Sequence, residues 1–354
     1  MTIAIDCRMF NSSGIGTYIR GCLPFLLQSD NNILLIGNKD ELKSYLINKN
    51  VSIIECNVKP FSFKELLFFP LNILKQINKA NLYFTPYFNF PSNIRIPVFT
   101  VIHDVIFADL PEITSKTGHV IRMLFYKRAY RKSAKIFTVS EFSKSRIEHY
   151  FGFKKPVVVT YSAIQQIFLD YKELALSIKK KDTIIFIGNI KKHKGLDCLL
   201  DAFFQIKKEG LPHKLLIIGN KDNFRSADNT FIEKIESMSD ESICFSGFIS
   251  DEKLMEHIAE SVLLVQPSMY EGFCLPPLEA MALGTRALIS DIPVLEEIYS
   301  EFPVTFFSVC NSIDLKNKIL EILSKKEDSF TLPKELIFKY TFQKTASILL
   351  NNFN

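Results

Sequence analysis

The residues with the clearest chemical potential lie in the stretch from Pro267 to Thr285, PSMYEGFCLPPLEAMALGT. Pro276 and Pro277 suit the first turn of a helix, because proline lacks an amide hydrogen that would be unpaired there. Glu271 precedes this helix start, and Glu279, eight residues later, falls in its first turn. Backbone amides at a helix start can face an anion, and carboxylates accept strong hydrogen bonds from hydroxyl groups. The stretch therefore predicts a site for a phosphorylated sugar.

A second stretch supplies positive charge for such a ligand. Phe186 to Phe203 reads FIGNIKKHKGLDCLLDAF, in which Lys194 is a compact cation and Gly188 and Gly195 let a backbone approach closely. Each charged residue also has an ordinary structural interpretation. Lys194 can be a surface lysine, Glu271 a solvated loop carboxylate, and Glu279 a carboxylate favoured by the helix dipole. The ligand site is predicted because these three residues occur together in one chain, not from any one of them.

A glycine loop follows the first predicted strand. Asp6 to Tyr18, DCRMFNSSGIGTY, carries Gly14 and Gly16 at the first two positions of G-x-G-x-x-G. Ile19 occupies the third position, which argues against a dinucleotide-dependent dehydrogenase.

Val101 to Pro111, VIHDVIFADLP, places His103 and Asp104 directly after another predicted strand. Ligands of parallel α/β sheets bind outside the carboxyl ends of the strands, so both side chains are site candidates, with a structural histidine as the alternative. No D-x-D occurs, and the six histidines show no metal-ligand spacing, so a metal-dependent mechanism is not indicated.

Short β-branched runs alternate with longer amphipathic stretches in both halves of the chain. This pattern predicts two Rossmann-type parallel sheets covered by helices such as Leu196 to Lys208, with a ligand cleft between two domains. The join is predicted in Phe168 to Asp182, which gives domains 1–170 and 171–337. The predicted strands are Ile3 to Asp6, Ile33 to Ile36, Val51 to Glu55, Leu82 to Phe84, Val98 to Ile102, Lys135 to Val139, Val157 to Thr160, Thr183 to Ile187, Lys214 to Ile218, Ile243 to Phe245, Val262 to Val265, Arg286 to Ile289 and Val304 to Phe307.

Composition limits the class of protein. The 354 residues suffice for two domains, and 47% apolar with 23% charged residues excludes a disordered chain. No transmembrane run or signal peptide is evident, so a cytoplasmic location is expected. Seven scattered cysteines without a C-x-x-C pair favour neither a disulfide framework nor a zinc site.

Charge is distributed unevenly. Residues 1–170 carry 21 Lys and Arg against 12 Asp and Glu, a net +9, whereas residues 171–354 carry 22 against 26, a net −4. The basic half indicates an anionic partner, either a membrane surface or nucleic acid, with a solvated surface as the alternative. Without a nucleic-acid-binding module, nucleic acid is disfavoured.

The motifs together resemble retaining glycosyltransferase family 4, whose members have two facing Rossmann-like domains in the GT-B fold. Pro267 to Thr285 resembles the family's Glu-x(7)-Glu signature, and Phe186 to Phe203 its donor-diphosphate loop. Tyr340 to Leu350, YTFQKTASILL, resembles the terminal helix that crosses back to the first domain, here residues 338–354. The glycine loop, the His103 segment and Phe137 to Ser145, FTVSEFSKS, resemble first-domain segments.

The resemblance implies roles for single residues. The first domain would bind the acceptor and the second the nucleotide-sugar donor. Glu271 would hold donor-sugar hydroxyls, Glu279 the ribose and Lys194 the diphosphate, while His103 would lie beside the transferred sugar. The candidates are His103 and Glu271 as catalytic residues; Gly14, Gly16, Asn189, His193, Lys194, Ile249, Gly272, Phe273, Cys274, Leu275 and Glu279 for the donor; and Asp104 and Tyr18 for the acceptor.

Two departures from the family's pattern concern the donor. Many members have Arg where this chain has Asn189, so Lys191 or His193 is expected to supply the second cationic contact. Cys274 stands where the family often has Gly. The sequence GNI-x-x-HK resembles mannosyltransferases of surface-polysaccharide pathways, which favours GDP-mannose.

The expected activity is therefore retaining, metal-independent transfer of a sugar, without a cofactor, to a lipid-linked or polysaccharide acceptor of O-antigen or capsule type. The resemblance implies that the departing phosphate takes the acceptor proton, so no protein base is assigned. The alternatives are a UDP-sugar-dependent GT-B enzyme with another acceptor, and a sugar-nucleotide-binding protein without catalysis.

Two stretches bear on a membrane partner at the inner face of the cell membrane. Lys116 to Lys135, KTGHVIRMLFYKRAYRKSAK, interleaves cations with apolar residues, as in a basic amphipathic surface helix. The alternative is a domain helix with a solvated basic face. Phe61 to Leu74, FSFKELLFFPLNIL, is a second apolar segment, for which burial in the core is the favoured interpretation and lipid contact the alternative.

Overall fold

The computed structural model describes residues 1–46, 49–219, 242–325 and 330–353. They form two compact units, residues 1–165 with 340–354, and residues 166–339. The division falls at 165/166, not at the predicted 170/171, because the helix Gln166–Ser177 packs against helices of the second unit.

The first unit is built on one sheet. Its strands are β1 (Thr2–Asp6), β2 (Asn32–Gly37), β3 (Val51–Glu55), β4 (Leu82–Thr85), β5 (Val98–Val101), β6 (Lys135–Thr138) and β7 (Val157–Val159). They are parallel and ordered β3-β2-β1-β4-β5-β6-β7. The order reverses between β1 and β4, which makes this edge the topological switch point of the sheet.

Helices cover both faces of this sheet. They are α1 (Ser13–Leu26), α2 (Lys39–Leu42), α3 (Phe63–Leu67), α4 (Leu71–Ile77), α5 (Ile106–Asp109), α6 (Lys116–Lys132) and α7 (Glu141–Phe151), with 3₁₀ turns at Lys43–Tyr45 and Pro111–Ile113. The start of α6 is fixed by Ser115, whose hydroxyl accepts from the Gly118 amide at 3.1 Å.

Alternation along the strands assigns side chains to the two faces. On one face, Ala4, Tyr83 and Ile136 join a core with Ile73 of α4 and Tyr126 of α6. The opposite face is covered in part by the end of the chain, where the ring of Phe353 contacts those of Phe84, Phe99 and Phe137.

The second unit has the same plan. Its strands are β8 (Lys181–Ile187), β9 (Lys214–Ile218), β10 (Ile243–Gly247), β11 (Ser261–Gln266), β12 (Arg286–Ser290) and β13 (Thr305–Phe307). They are parallel and ordered β10-β9-β8-β11-β12-β13, with the switch point between β8 and β11. Its helices are α8 (Gln166–Ser177), α9 (Leu196–Lys208), α10 (Asp251–Glu260), α11 (Pro276–Ala282), α12 (Pro293–Tyr299), α13 (Ser312–Ser324) and α14 (Lys334–Ile337), with a 3₁₀ turn at Lys192–Lys194.

The last helix, α15 (Phe342–Asn352), belongs to the first unit and packs on α1. A Cβ at Gly21 of α1 would overlap the ring of Phe342, so the two helices approach each other at a position that requires glycine. The predicted return of the terminal helix to the first domain is confirmed, as are all the predicted strands and the helix Leu196 to Lys208.

Candidate functional site

The strongest candidate site lies at the switch point of the second sheet. The loops after β8 and β11 start on neighbouring strands and are locked together by a hydrogen bond from the Met269 amide to the His193 carbonyl, 2.8 Å long. A Cβ at Gly195, whose φ is +67°, would overlap the carbonyl oxygen of Pro267. Glycine here lets the 3₁₀ turn that carries Lys194 lie against the second loop.

Lys194 and Glu271 form an ion pair across these loops. The ammonium Nζ donates to both carboxylate oxygens, at 2.7 Å to Oε1 and 2.9 Å to Oε2. The side chains are 19% and 9% exposed, so the pair is largely buried but reaches solvent. The hydroxyl of Ser268 donates to the same Oε1 at 2.7 Å and itself accepts from Gln266 at 3.0 Å. Glu271 is thus held in one orientation from two sides.

Glu271 and Glu279, the two glutamates of the predicted donor site, differ in protonation. Burial by itself would raise the pKa of Glu271, but the ammonium of Lys194 outweighs it and lowers that pKa below its ordinary value. Burial raises the pKa of Glu279 to about 8, helped by the charge of Asp251. At neutral pH Glu271 is therefore a carboxylate and Glu279 is mostly a neutral acid.

The loop between these glutamates has an unusual backbone. Cys274 is buried and adopts φ +72°, a left-handed conformation that glycine would adopt without strain. Burial and the neighbouring Glu271 raise the pKa of its thiol, which stays protonated and bonds to Glu271. Tyr299 of α12 donates its hydroxyl to the Cys274 carbonyl. Beside it, Phe273 is buried, and Gly272 and Leu275 are half-buried.

The remaining donor candidates surround this loop pair. Asn189 and His193 are half-buried in the loop after β8, and Ile249 is half-buried just beyond β10. Burial and the neighbouring Lys194 lower the pKa of His193 to about 4. The imidazole is therefore neutral at pH 7, which argues against its predicted use as a second cation. Lys191 is exposed and is the remaining candidate for the second cationic contact to the donor.

In the first unit His103 follows β5 and is half-buried. Its Nε2 lies 2.8 Å from the carbonyl oxygen of Pro86, just after β4. Because a carbonyl only accepts, Nε2 carries the ring proton, and burial lowers the His103 pKa to about 4. The ring is therefore neutral at pH 7, and Nδ1 is an acceptor.

The predicted acceptor candidates Tyr18 and Asp104 each make a hydrogen bond within the first unit. Tyr18 is 1% exposed; its hydroxyl lies 2.9 Å from Thr160 Oγ1, and its ring packs edge-on against His103 with centroids 5.2 Å apart. A buried hydroxyl does not suit the predicted acceptor contact. Asp104 Oδ1 accepts from the Ile106 amide at 3.0 Å, which fixes the start of α5.

The two loop glycines also differ. Gly14 is exposed, with open space around its Cβ position. Gly16 is buried, and a Cβ there would overlap the Phe10 carbonyl oxygen, so the loop requires glycine at that position.

A buried charge cluster at the first switch point was missed from the sequence. Arg8 pairs with Asp6, Nε to Oδ1 at 2.9 Å and one amino group to Oδ2 at 2.6 Å, and that amino group also donates to Glu65 Oε1 at 2.7 Å. Tyr83 and Tyr87 donate their hydroxyls to Asp6 Oδ2 at 2.6 and 3.2 Å. The only sequence signal was Asp6 at the carboxyl end of β1. Ser268, also missed, lies within the stretch that predicted Glu271.

The comparisons with known proteins agree with this geometry. Residues 171–335 match the family model of glycosyl transferases group 1. The second unit is a group 1 glycosyltransferase domain. It contains the Lys194–Glu271 pair and the loop that joins Glu271 to Glu279.

Two similar curated proteins are named as mannosyltransferases. The O-antigen chain mannosyltransferase B of Escherichia coli is 28% identical over 236 residues, 63% of this chain and 60% of that protein. The serotype-specific mannosyltransferase WbdA of Escherichia coli is 31% identical over 172 residues, 48% of this chain and 21% of that protein. The chain thus spans only part of these relatives.

Solved structures show the fold of the whole chain. The sucrose-phosphate synthase from Thermosynechococcus elongatus superposes with a TM-score of 0.73 at 16% identity, covering 100% of this chain and 98% of that one. The predicted GT-B fold is confirmed. Among the described residues no helix is long and apolar enough to cross a membrane.

Proposed function

We propose that the protein is a retaining, metal-independent glycosyltransferase that moves mannose from GDP-mannose to a saccharide acceptor in O-antigen or capsule-type biosynthesis. The observation that carries this proposal is the Lys194–Glu271 pair, held between two glycine-bearing loops at a sheet switch point. The pair lies in a group 1 glycosyltransferase domain, and two of the relatives that resemble the chain are named as mannosyltransferases.

The ion pair gives the donor site a way to respond to its ligand. In the free protein, the Lys194 ammonium is shared by both oxygens of Glu271. A nucleotide diphosphate carries more negative charge than one carboxylate and would draw the ammonium to its phosphates. Glu271, still held by Ser268, would then accept hydrogen bonds from the sugar hydroxyls. Negative charge that develops on the leaving diphosphate would be stabilised by Lys194 and backbone amides without a metal.

Glu279 suits the ribose. A neutral acid donates one hydrogen bond and accepts another, and an ionised carboxylate accepts from both ribose hydroxyls. With its pKa raised to about 8, Glu279 is mostly the neutral acid at pH 7 and becomes the carboxylate above that pKa. Ile249 would line the base pocket.

His103 suits a hydroxyl of the transferred sugar. With Nε2–H bonded to Pro86, Nδ1 is the acceptor that remains, and a ring with a pKa of about 4 is a weak base that carries no second proton to donate at pH 7. These properties favour a role in positioning the sugar over proton transfer. They fit a retaining mechanism in which the departing phosphate takes the acceptor proton.

The acceptor is proposed to be lipid-linked, with the enzyme peripheral at the inner face of the membrane. The exposed side of α6 carries Val120, Ile121 and Leu124 near its start and Lys127 and Arg131 near its end. Apolar side chains beside cations suit the surface of an anionic bilayer. In contrast to the predicted interleaving, Tyr126 and Tyr130 face the core.

The test is a donor panel followed by a transfer assay. Thermal shifts are measured with GDP, UDP and ADP and their common sugar conjugates, with and without EDTA. We expect an EDTA-insensitive rise in Tm with GDP-mannose, since a ligand at 100 times its Kd stabilises by about 2.7 kcal/mol. Transfer to a lipid-linked saccharide should then give an α-mannoside.

Each other outcome identifies an alternative. A shift with UDP-sugars alone would indicate a UDP-sugar-dependent enzyme. Binding of GDP-mannose without transfer or hydrolysis would indicate a sugar-nucleotide-binding protein. A β-mannoside product would overturn the retaining mechanism, and loss of turnover in EDTA that Mg²⁺ restores would overturn metal independence.

A further inference from the structure

Four large apolar side chains are exposed in and beside the helices α3 and α4 of the first unit: one just before α3, one at its end, one directly after it and one at the start of α4. Phe61, Leu67, Phe68 and Leu71 are 45%, 62%, 72% and 71% exposed. Together they are called the α3–α4 surface. Burial of this segment in the core was the favoured interpretation of the sequence, and for these four residues that prediction is wrong. Clustered exposed apolar side chains mark an interaction surface more often than scattered ones do.

The exposure does not reflect a poorly packed segment. Other apolar residues of the same stretch, Phe69, Ile73 and Leu74, are buried in the core beneath. Residues on one side of the segment therefore anchor it, and the remaining apolar residues are left for solvent or a partner.

The α3–α4 surface is also held in place by the buried charge cluster. Glu65 of α3 is fully buried; its Oε2 accepts from the Phe61 amide at 2.7 Å, and its Oε1 from Arg8 at 2.7 Å. Phe61 has φ +59°, a left-handed conformation that this hydrogen bond helps to hold. Its ring packs against Phe88, with centroids 5.2 Å apart. The four apolar side chains are thus presented from a fixed backbone.

Charge around the surface identifies the partner. Lys59, Lys64, Lys75 and Lys79 flank it and are exposed. The one acidic residue between Cys56 and Asn81 is Glu65, which is buried. Exposed apolar side chains that alternate along the chain with exposed lysines, in a segment whose one carboxylate is buried, complement an anionic lipid bilayer.

Helix α6 lies beside the α3–α4 surface and also exposes apolar and basic side chains. Phe88, which contacts Phe61, also packs against Tyr126 of α6, with centroids 4.5 Å apart. The α3–α4 surface and α6 therefore cover the same face of the sheet, and α6 exposes its own apolar and basic residues.

We propose that the α3–α4 surface inserts its four apolar side chains into an anionic phospholipid bilayer, with the surrounding lysines on the lipid headgroups. This inference deepens the proposed function, because it names the element that makes the membrane contact. It stands on the α3–α4 surface alone and does not require the proposed donor.

The chain lacks tryptophan, which allows a direct test. The variant Phe68→Trp places a fluorophore on the α3–α4 surface, and Ile313→Trp, at a 63% exposed position of α13, is the matched control. Both are titrated with vesicles of phosphatidylethanolamine and phosphatidylglycerol, and with phosphatidylcholine vesicles. We expect a blue shift, and quenching by brominated lipid, for Phe68→Trp on anionic vesicles alone. Emission that stays unchanged on anionic vesicles, or changes equally on neutral ones, would overturn the proposal.

A second variant removes the surface. Leu67→Ser, Phe68→Ser and Leu71→Ser combined should lower partition onto anionic vesicles by about tenfold or more, whereas Ile313→Ser should not change it. The thermal shift with GDP-mannose should be the same in the triple variant and the parent chain, which separates this proposal from the proposed donor. Unaltered vesicle binding by the triple variant would overturn the proposal. If the variant also changed from a dimer to a monomer in gel filtration, the partner of the surface would be a second copy of the chain.

Discussion

The switch points of the two sheets both carry an ion pair, but the two pairs differ in access to solvent. At the β1/β4 switch, the side chains of Arg8, Asp6 and Glu65 are at most 1% exposed. At the β8/β11 switch, Lys194 and Glu271 are 19% and 9% exposed. The first pair is enclosed by tyrosine hydroxyls and by the ring of Phe69. The second opens towards solvent between two loops.

This difference indicates how one topology serves two purposes. A sealed ion pair cannot exchange partners with a ligand, so the Arg8 cluster fixes the end of β1, the α3 helix and the loop after β4 relative to each other. A pair that reaches solvent can exchange one partner for a phosphate or a hydroxyl. Position at a switch point is thus insufficient to identify a ligand site, and exposure of the charged groups must accompany it.

The largest expected effect is on stability at the first switch point. Arg8→Met leaves Asp6 and Glu65 buried without their cation, which should lower the free energy of unfolding by about 3 to 5 kcal/mol. Arg131→Met, at an exposed position of α6, is the control and should be near neutral. Thermal unfolding by circular dichroism measures both. An Arg8→Met protein with the same Tm as the parent would show that the cluster does not stabilise the fold.

The second effect is on turnover at the second switch point. Lys194→Ala and Glu271→Ala should each lower turnover by about ten- to a thousandfold, because contacts that strengthen in the transition state are lost. Their Tm should fall much less than that of Arg8→Met, since the remaining partner reaches solvent. Lys192→Ala, an exposed lysine of the same 3₁₀ turn, is the control. Near-normal turnover in both site variants would remove these residues from the donor site.

The third effect is a pH dependence from Glu279. Its pKa in the folded protein is about 8, against an ordinary value of 4.5, so between these values the folded state binds one proton more than the unfolded state. The stability from this group is therefore complete below about pH 4.5 and is lost as pH rises towards 8.

Glu279→Gln should remove this loss. The Tm difference, variant minus parent, should increase between pH 5 and 8, while Glu335→Gln, at an exposed position of α14, should show a constant difference. A constant difference for Glu279→Gln as well would mean that the carboxyl is ionised throughout this range, contrary to its burial.

The sequence predicted the elements and many of the charged residues, but not their partners. Strands were predictable because β-branched runs and intervening helices have a local pattern. The Arg8–Glu65 and Lys194–Glu271 pairs join residues 57 and 77 positions apart, so only the folded chain brings them together. The apolar run from Phe61 to Leu74 gave no indication of which side chains would face outward, because hydrophobicity alone does not distinguish core from interaction surface.

The smallest expected effect concerns Tyr18 and separates support from substrate contact. Tyr18→Phe keeps the ring that packs on His103 and removes one hydrogen bond to Thr160, which should lower the free energy of unfolding by about 1 kcal/mol. Because the hydroxyl is buried, the KM for the acceptor should be unchanged. Tyr18→Ala also removes the ring that holds His103, and kcat should fall further than in the Phe variant. A raised acceptor KM in Tyr18→Phe would restore the sequence-based prediction of an acceptor contact and would mean that the buried hydroxyl becomes accessible when the acceptor binds.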